Sequence, residues 1–287
     1  TLVFGIIRFA NFAHGDLMSS GAYFALFMVT GVLSWIGVPD TTFGSLSFGW
    51  RMLIAFPVSM FIVGCLAIAA DRILYRKLRN NNSGPVMLAM SSLGVAFILR
   101  MLILIFWGAD SLFYRPGLMR PAIEFPLGIK IRPDQILILI LVFGLVTLLH
   151  LFMQKTKMGK AMRATAQNKT MARILGIDID LTIRITFMIG PALGAAAGVM
   201  VGLHYGAVRF DMGFIFMIKA FAAAILGGIG SIPGAMIGGL IIGSIEVFWA
   251  AFLPSAWKDV TTFTVLILVL YFRPSGLLGE GTAEVRV

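Results

Sequence analysis

Residues 155–180 read KTKMGKAMRATAQNKTMARILGIDID and form the longest charged segment of the chain. Six basic side chains in this segment stand against two acidic ones, Asp178 and Asp180. Long apolar segments lie on both sides of it. Basic loops of membrane proteins accumulate on the cytoplasmic side. We therefore interpret residues 155–180 as a cytoplasmic segment that a partner, a motor protein, binds.

The composition around this segment is that of an integral membrane protein. The 287 residues are 59% hydrophobic and 13% charged, with a mean hydropathy of +0.95, whereas soluble domains carry roughly 25% charged residues. The net charge of +10 does not indicate nucleic-acid binding, because the basic residues fall mostly in two short loops. Cys65 is the single cysteine, and the histidines lack metal-ligand spacing, so we expect neither a disulfide nor a metal site.

About 20 apolar residues cross a bilayer as a helix, and by this test the chain has about eight embedded segments. The chain begins at Thr1 inside an apolar run, so we expect most of a first helix to lie upstream. We predict an all-α polytopic protein with a single transmembrane domain over residues 1–287. The predicted segments are Gly15–Ile36, Met52–Leu74, Pro85–Phe106, Gln135–Phe152, Thr182–Leu203, Ile215–Leu226, Pro233–Leu253 and Val260–Phe272.

Loop charge sets the predicted orientation. Four basic residues, Arg72, Arg76, Lys77 and Arg79, follow the second segment, and the basic segment 155–180 follows the fourth. Both must lie on one face, and their excess of Lys and Arg assigns that face to the cytoplasm. One opposing loop also carries four basic residues, Arg115, Arg120, Lys130 and Arg132. Three acidic residues in the same loop reduce its net positive charge: Asp110, Glu124 and Asp134.

Glycines follow two patterns in the second half of the chain. Gly190, Gly194, Gly198 and Gly202 are spaced by four and therefore share one helix face, which predicts close packing against a neighbouring helix. Further along, Gly227, Gly228 and Gly230 precede Pro233. Such a density of glycine disfavours a continuous helix, so we predict a break between two helices and consider it a candidate for a place beside a pathway.

Four ionisable residues lie within the predicted membrane segments: Asp16, Arg100, Lys219 and Glu246. Such residues are expensive in a bilayer and are candidates for function. Asp16 and Lys219 lie near segment ends, where reaching toward the interface is the simpler explanation. Arg100 and Glu246 lie deeper, and we consider them either as a buried structural pair or as residues of the pathway or gate.

The cluster Asn11-Phe12-Ala13-His14-Gly15-Asp16 interrupts two apolar stretches. Asn11 and Asp16 are good helix caps, so the cluster fits a helix start. A discontinuous helix at a solute pathway explains it equally well. Both interpretations stay open, and Asn11, His14, Gly15 and Asp16 are candidates for pathway or gating residues.

The sequence predicts no catalytic residues. Gly159 and Lys160 resemble part of a phosphate-binding loop, but Gln154 replaces its first glycine and Ala161 its hydroxyl residue. Neither a G-x-S-x-G elbow nor an H-E-x-x-H helix occurs. The chain is therefore not expected to be an enzyme, and any ATP that it uses must be bound by a partner.

Four motifs resemble the branched-chain amino acid ABC importer permeases, in particular their LivH-like branch. Residues 7–16, IRFANFAHGD, followed by GAY at 21–23, resemble the family's INFAHGE and GAY signature. The order of the other three also matches, although Arg8 replaces a residue that is usually apolar. They are ARILGI at 172–177, KAFAAAILGGIGSIPGA at 219–235 and RPSGLLG at 273–279.

The resemblance implies a type II ABC importer permease-like bundle in the bacterial inner membrane. It implies three kinds of partner: a second, LivM-like permease, two cytoplasmic ABC ATPases and an extracytoplasmic solute-binding protein. The apolar segments add membrane lipid as a fourth partner. It also implies that residues 155–181 include the segment that docks into an ATPase. The residues we assign to this coupling segment are Lys160, Arg163, Ala164, Ala166, Arg173, Leu175, Gly176 and Asp178.

Two other functions are weighed against the importer. Urea and short-chain amide permeases share the same signatures, so the solute is open at this stage. A secondary transporter driven by an ion gradient would use Asp16 or Glu246 to carry a proton. It would transport without ATP and without partners.

Overall fold

A computed structural model describes residues 2–7, 9–42, 46–81, 83–114, 122–124, 130–228, 230–252, 254, 257–272 and 276–278. Arg8, Arg115, Arg120 and the end of the seventh predicted segment at Leu253 lie outside these residues. The described chain is almost entirely helical, with one two-stranded antiparallel ribbon, β1 (Ile123–Glu124) and β2 (Lys130–Ile131). The helices are α1 (Leu2–Ile7), α2 (Ala13–Trp35), α3 (Trp50–Asn80), α4 (Pro85–Trp107), α5 (Pro133–Lys155), α6 (Lys157–Gln167), α7 (Lys169–Ile174), α8 (Ile179–Tyr205), α9 (Met212–Gly227), α10 (Ile232–Phe252) and α11 (Lys258–Phe272).

Six of the described helices are long and apolar enough to cross a membrane: α2, α3, α4, α5, α8 and α10. The helix α9 and the Val260–Phe272 part of α11 are apolar but shorter. An all-α polytopic membrane protein is therefore confirmed. The count of eight embedded segments stays a prediction, although each predicted segment overlaps a helix. The second was predicted to end at Leu74, whereas α3 continues to Asn80.

The larger of two compact units comprises Phe9–Phe214. Its core is α8, which packs on α2 and α3 through small residues that let the backbones approach. A Cβ added at Gly21 of α2 would lie 2.4 Å from Ala195 Cβ of α8, and one added at Gly64 of α3 would lie 3.2 Å from the Met188 carbonyl oxygen.

The second compact unit comprises Thr1–Arg8 and Ile215–Val287. Its apolar core contains Ala222, Ala223, Leu226 and Ile242. Gly238 of α10 lies against the backbone of α9, since a Cβ there would be 2.2 Å from the Ala223 carbonyl oxygen. The single domain over residues 1–287 stays a prediction.

The two basic segments meet at one end of the larger unit. The Arg76 guanidinium lies 2.8 Å from the Asp180 carboxylate, which joins the end of α3 to the start of α8. At the other end, Leu112 and Val208 form an isolated antiparallel bridge. This arrangement agrees with the expectation that both basic segments face the same side.

Candidate functional site

Asp16 and Arg100 form a two-point ion pair between α2 and α4. Arg100 Nε donates to Asp16 Oδ1 at 2.9 Å and Nη2 donates to Oδ2 at 3.1 Å. Asp16 is fully buried, and the Arg100 side chain is 17% exposed. The expectation that Asp16 reaches toward the membrane interface is wrong, because this carboxylate turns inward to the cation of the neighbouring helix.

Two aromatic rings flank the Arg100 guanidinium. The Phe97 ring lies one turn before it on α4, with its centroid 5.8 Å from Arg100 Cζ. The Phe214 centroid, in the first turn of α9, lies 5.0 Å away. Rings within about 6 Å stabilise a cation through their quadrupole. The pair and its rings therefore connect α2, α4 and the start of α9.

Glu246 has other partners than the one expected. Lys219 Nζ of α9 lies 2.9 Å from Glu246 Oε1 of α10, and Thr262 Oγ1 of α11 donates to the same oxygen at 2.6 Å. The predicted pair between Arg100 and Glu246 is therefore wrong. Charges with little access to water are stabilised by a nearby opposite charge. Arg100 is paired with Asp16 and Glu246 with Lys219, each on an adjacent helix.

The polar cluster before α2 is a break between two helices. The helix α1 ends at Ile7 and α2 begins at Ala13. Asn11 Oδ1 accepts the Ala13 backbone N–H at 3.1 Å, and Phe12 N–H donates to Ser92 Oγ of α4 at 2.9 Å. Among the described residues, the buried Asn11 Nδ2 has no hydrogen-bond partner. The cluster thus starts a helix and also separates two helices.

His14 and Gly15 lie in the first turn of α2, against other backbone. A Cβ added at Gly194 of α8 would be 3.2 Å from His14 Nε2, and one added at Gly213 of α9 would be 1.9 Å from the Gly15 carbonyl oxygen. The helix α8 and the first residues of α9 therefore lie against this turn, which also carries Asp16. The structure brings Asn11, His14, Gly15, Asp16 and Arg100 into one neighbourhood.

Three of the four spaced glycines of α8 lie against different neighbours. Gly194 faces His14, as described above. A Cβ at Gly198 would lie 2.2 Å from the Met18 carbonyl oxygen of α2, and one at Gly202 would lie 2.8 Å from Tyr114 Cε2. Gly190 is partly buried on the same helix.

The glycine-rich stretch after α9 breaks the helix within the second compact unit. Gly228 and Gly230 adopt φ values of +102° and +100°, which L-residues with side chains rarely adopt. Gly227 lies against Gly234 at the start of α10, because a Cβ at Gly227 would be 2.0 Å from the Gly234 carbonyl oxygen. Gly227, Gly228 and Gly230 are thus placed together, as a connection between α9 and α10.

The basic segment is ordered into α6 and α7 by side-chain caps at successive helix starts. Thr156 Oγ1 accepts the Gly159 N–H at 3.0 Å, Asn168 Oδ1 accepts the Thr170 N–H at 3.0 Å, and Asp178 Oδ1 accepts the Leu181 N–H at 2.9 Å. Gly176, with φ of +80°, follows α7 in the left-handed conformation that ends helices.

The outward side of α6 and α7 combines positive charge with apolar surface. Met162 and Ala172 are buried, whereas Lys160, Arg163, Arg173 and Asp178 are exposed. Ala164 and Ala166 are partly buried. Three large apolar side chains are exposed here: Met171, Ile174 and Leu175, the last at 78%. Exposed apolar groups with charged neighbours are typical of a protein-binding surface.

A cavity at the opposite end of the larger unit was not predicted. We call it the vestibule; its volume is about 330 Å³ and it combines acidic, basic and apolar groups. Its Tyr114 donates through its hydroxyl to the Ala22 carbonyl oxygen at 3.1 Å, and burial raises the pKa of Tyr114. The residues come from several separate segments, so no local sequence pattern indicates the vestibule. They are Val29, Asp40, Ser47, Phe48, Gly49, Met52, Phe113, Tyr114, Arg132, Asp134, Gly202, Leu203 and Gly206.

The described residues contain no group of three His, Cys, Asp or Glu side chains placed to hold a metal ion. Arg100 and Glu246 are each paired with an opposite charge on an adjacent helix.

Comparison with known proteins places the chain among transport permeases. Residues 1–270 match the family model for the permease component of branched-chain amino acid transport systems. The high-affinity branched-chain amino acid permease BraD of Pseudomonas aeruginosa is 37% identical over 99% of this chain and 90% of its own length. The corresponding LivH of Escherichia coli is 38% identical over the same shares, and a probable LivH of Methanocaldococcus jannaschii is 27% identical over 97% of this chain and 86% of its own length.

No solved structure matches the chain. The resemblance stated from the four sequence motifs is confirmed by the family model and by both bacterial relatives. The chain belongs to the family of permease components of branched-chain amino acid transport systems.

Proposed function

We propose that the chain is a permease subunit of an ABC importer for branched-chain amino acids. It is a multi-pass protein of the bacterial inner membrane and a transport permease. In the proposal it forms the translocation pathway with a second, LivM-like permease, in a type II bundle with eight embedded helices. An extracytoplasmic binding protein delivers the amino acid, and two cytoplasmic ATPases supply the energy.

The observation that carries the proposal is the ordered, outward-facing surface of α6 and α7. Its exposed Leu175, Ile174 and Met171 lie outside the membrane-spanning helices, beside the exposed Arg173. Each such apolar side chain gains about 1.5–3 kcal/mol when a partner buries it. We propose that the ATPases bind here and that residues 155–181 transmit their closure.

The neighbourhood of Asp16 and Arg100 is proposed as the part of the pathway that moves. It connects the break at residues 9–12 with α4 and the start of α9, and polar breaks of this kind line solute sites in transporters. The helix α8 packs closely on α2 and Tyr114 through Gly194, Gly198 and Gly202. A movement at the α6–α7 end can therefore be transmitted through α8 to the neighbourhood of Asp16 and Arg100. In this proposal no cofactor is bound by the chain itself, and ATP is bound only by the partner subunits.

The arrangement of charges weighs against the secondary transporter. A proton carrier needs a carboxylate that can lose and regain its proton, yet Asp16 is held by Arg100 and Glu246 by Lys219 and Thr262. BraD and LivH are branched-chain amino acid permeases, which favours branched-chain amino acids over urea or short-chain amides as the solute.

The binding of the ATPases tests the proposal directly. The substitution Leu175→Ser, in the complex purified through a tag on the full chain, is expected to reduce the recovered ATPases at least about tenfold, the effect of losing about 1.4 kcal/mol. The matched control is Ile36→Ser, because Ile36 is also an exposed apolar residue (62%) but follows α2 at the opposite end. Equal ATPase recovery with Leu175→Ser and with the unsubstituted chain would contradict the assigned docking surface.

A further inference from the structure

The vestibule contains a buried carboxylate whose partners are uncharged. Asp134 is only 6% exposed. Its Oδ1 accepts the Ser47 backbone N–H at 2.9 Å and its Oδ2 accepts the Ser47 hydroxyl. Among the residues that the structure describes, no cation forms a salt bridge with it. Buried charges in proteins are usually paired with an opposite charge, so a carboxylate that is held by uncharged partners is suited to an incoming cation.

Asp134 can accept further hydrogen bonds. An ionised carboxylate has about four acceptor positions on its two oxygens, and Ser47 occupies two of them. The first turn of α5 leaves Asp134 at the vestibule wall, beside Ser47 and Phe48. A primary ammonium group, with three donors, is the ligand that matches the remaining positions.

A guanidinium lies in the same wall. Arg132 precedes α5 and also lines the vestibule; its Nη2 donates to the His204 carbonyl oxygen at 3.0 Å. This bond fixes the guanidinium near the end of α8. A guanidinium has five N–H donors in a planar arrangement that matches a carboxylate. One wall of the vestibule therefore presents both an acidic and a basic group.

The remaining lining is mainly apolar. Val29 and Met52, buried at 5% and 4% exposure, lie at the ends of α2 and α3, and Leu203 lies near the end of α8. Ligand sites combine such apolar walls with a few convergent polar groups in about 300–1,000 Å³. The vestibule, at about 330 Å³, falls within this range.

The geometry points to an amino-acid binding site in the vestibule, where Asp134 binds the ammonium group, Arg132 binds the carboxylate and the apolar wall holds an aliphatic side chain. The site lies at the end opposite to α6 and α7, where a solute enters before it reaches the membrane helices. The inference deepens the proposed function and rests on it, because it assigns this chain its own contact with the transported zwitterion.

Protection of a reporter cysteine tests the inference. The full chain carries Phe113→Cys at the vestibule, in a Cys65→Ala background, and is reacted in nanodiscs with a charged thiol reagent. Leucine is expected to slow the reaction. 4-Methylpentanoate, which lacks the ammonium group, and isopentylamine, which lacks the carboxylate, are expected to need at least about tenfold higher concentrations for the same protection, because each makes only one of the two charged contacts that leucine makes with the wall.

A pair of variants identifies the carboxylate. Asp134→Asn keeps an acceptor for Ser47 but removes the charge, so the half-protecting leucine concentration is expected to rise at least about tenfold. Asp110→Asn removes an exposed acidic residue that does not line the vestibule, and it is expected to leave that concentration unchanged. If Asp134→Asn fails to fold, the comparison of leucine, 4-methylpentanoate and isopentylamine on the chain with Asp134 intact still tests the site.

Three results would overturn the site: no slowing by leucine, equal protection by 4-methylpentanoate, or unchanged protection in a folded Asp134→Asn chain. ATP-driven leucine uptake by the complete importer separates this failure from that of the proposed function. Uptake without protection in the vestibule would reject the site alone. Absence of uptake by an intact, ATP-hydrolysing complex would reject the proposed function.

Discussion

At the residue scale, the ion pair of Asp16 and Arg100 places two opposite charges on neighbouring helices with little access to water. A charge within a membrane-embedded protein is costly, and removing its partner leaves it uncompensated. The pair also has fixed geometry, because the guanidinium contacts both carboxylate oxygens and lies near Phe97 and Phe214. Stability should therefore depend on both members together.

The substitution Arg100→Leu is expected to destabilise the chain by about 3–5 kcal/mol, the usual cost of breaking a buried pair. The thermal unfolding midpoint in detergent, followed by tryptophan fluorescence, should fall by several degrees. The double substitution Asp16→Leu with Arg100→Leu should recover most of the loss, because no buried charge remains. Equal midpoints for the single and unsubstituted chains would contradict the pair's role.

A second ion pair provides the control. Arg209 and Asp211 lie 3.0 Å apart, with the Arg209 side chain 60% exposed. Exposed pairs contribute about 0–1 kcal/mol, so Arg209→Leu should shift the midpoint little.

The sequence predicted which residues would be charged in the membrane but not how they would pair. Hydropathy places Asp16, Arg100, Lys219 and Glu246 in apolar segments. Their pairing depends on which helices are neighbours and on how each helix is rotated about its axis. A single sequence gives neither of these directly. Asp134 was overlooked for a similar reason. In the sequence it is one acidic residue of a loop that also carries basic residues, and only the folded chain shows Ser47 beside it.

At the element scale, the packing of α8 on α2 depends on glycine, because a residue with a Cβ would not fit between the two backbones. A Cβ at Gly198 would lie 2.2 Å from the Met18 carbonyl oxygen, which is backbone and cannot rotate away. Gly94 of α4 offers the contrast, because a Cβ there meets nothing within 4 Å. The two glycines therefore have opposite consequences when replaced by alanine.

The substitution Gly198→Ala is expected to lower the unfolding free energy by about 1–3 kcal/mol, because the helices must separate. Gly94→Ala is expected to raise it by about 0.5–1 kcal/mol, through a smaller loss of backbone entropy. Unfolding midpoints of the two variants in the same detergent check this difference. A Gly198→Ala chain at least as stable as Gly94→Ala would refute the close packing.

The spacing of Gly190, Gly194, Gly198 and Gly202 predicted a shared face but not its neighbours. The period of a helix fixes which side chains are adjacent along it, whereas the partner is a tertiary property. The segment that forms α6 and α7 was predicted as a charged coupling segment, but its division into two short helices was not. Their caps at Thr156, Asn168 and Asp178 are polar residues that sequence reasoning could have recognised as helix starts.

At the scale of the whole molecule, charge and cavity lie at opposite ends of the larger unit. The basic helices α6 and α7 follow α5, and Arg76 pairs with Asp180 at the same end. The vestibule is formed at the other end, around Ser47, Arg132 and Asp134. The positive-inside rule then assigns the basic end to the cytoplasm and the vestibule to the extracytoplasmic side.

Cysteine labelling in spheroplasts tests this sidedness. In a Cys65→Ala background, Asp110→Cys is expected to react with a membrane-impermeant thiol reagent added outside. Lys169→Cys is expected to react only after the membrane is opened. Each position is the internal control of the other, and outside labelling of Lys169→Cys in intact spheroplasts would reverse the assigned orientation.

The central claim is that the chain is a passive gate, moved from the cytoplasm by ATPases that bind α6 and α7. Uptake of leucine into proteoliposomes, measured with the chain alone and with the complete importer, tests it most directly. Uptake is expected only when the second permease, the binding protein, the ATPases and ATP are all present. It is expected to be lost with Gly176→Pro, because proline cannot adopt the φ of +80° at this position. Leucine accumulation by the chain alone, without ATP, would contradict it.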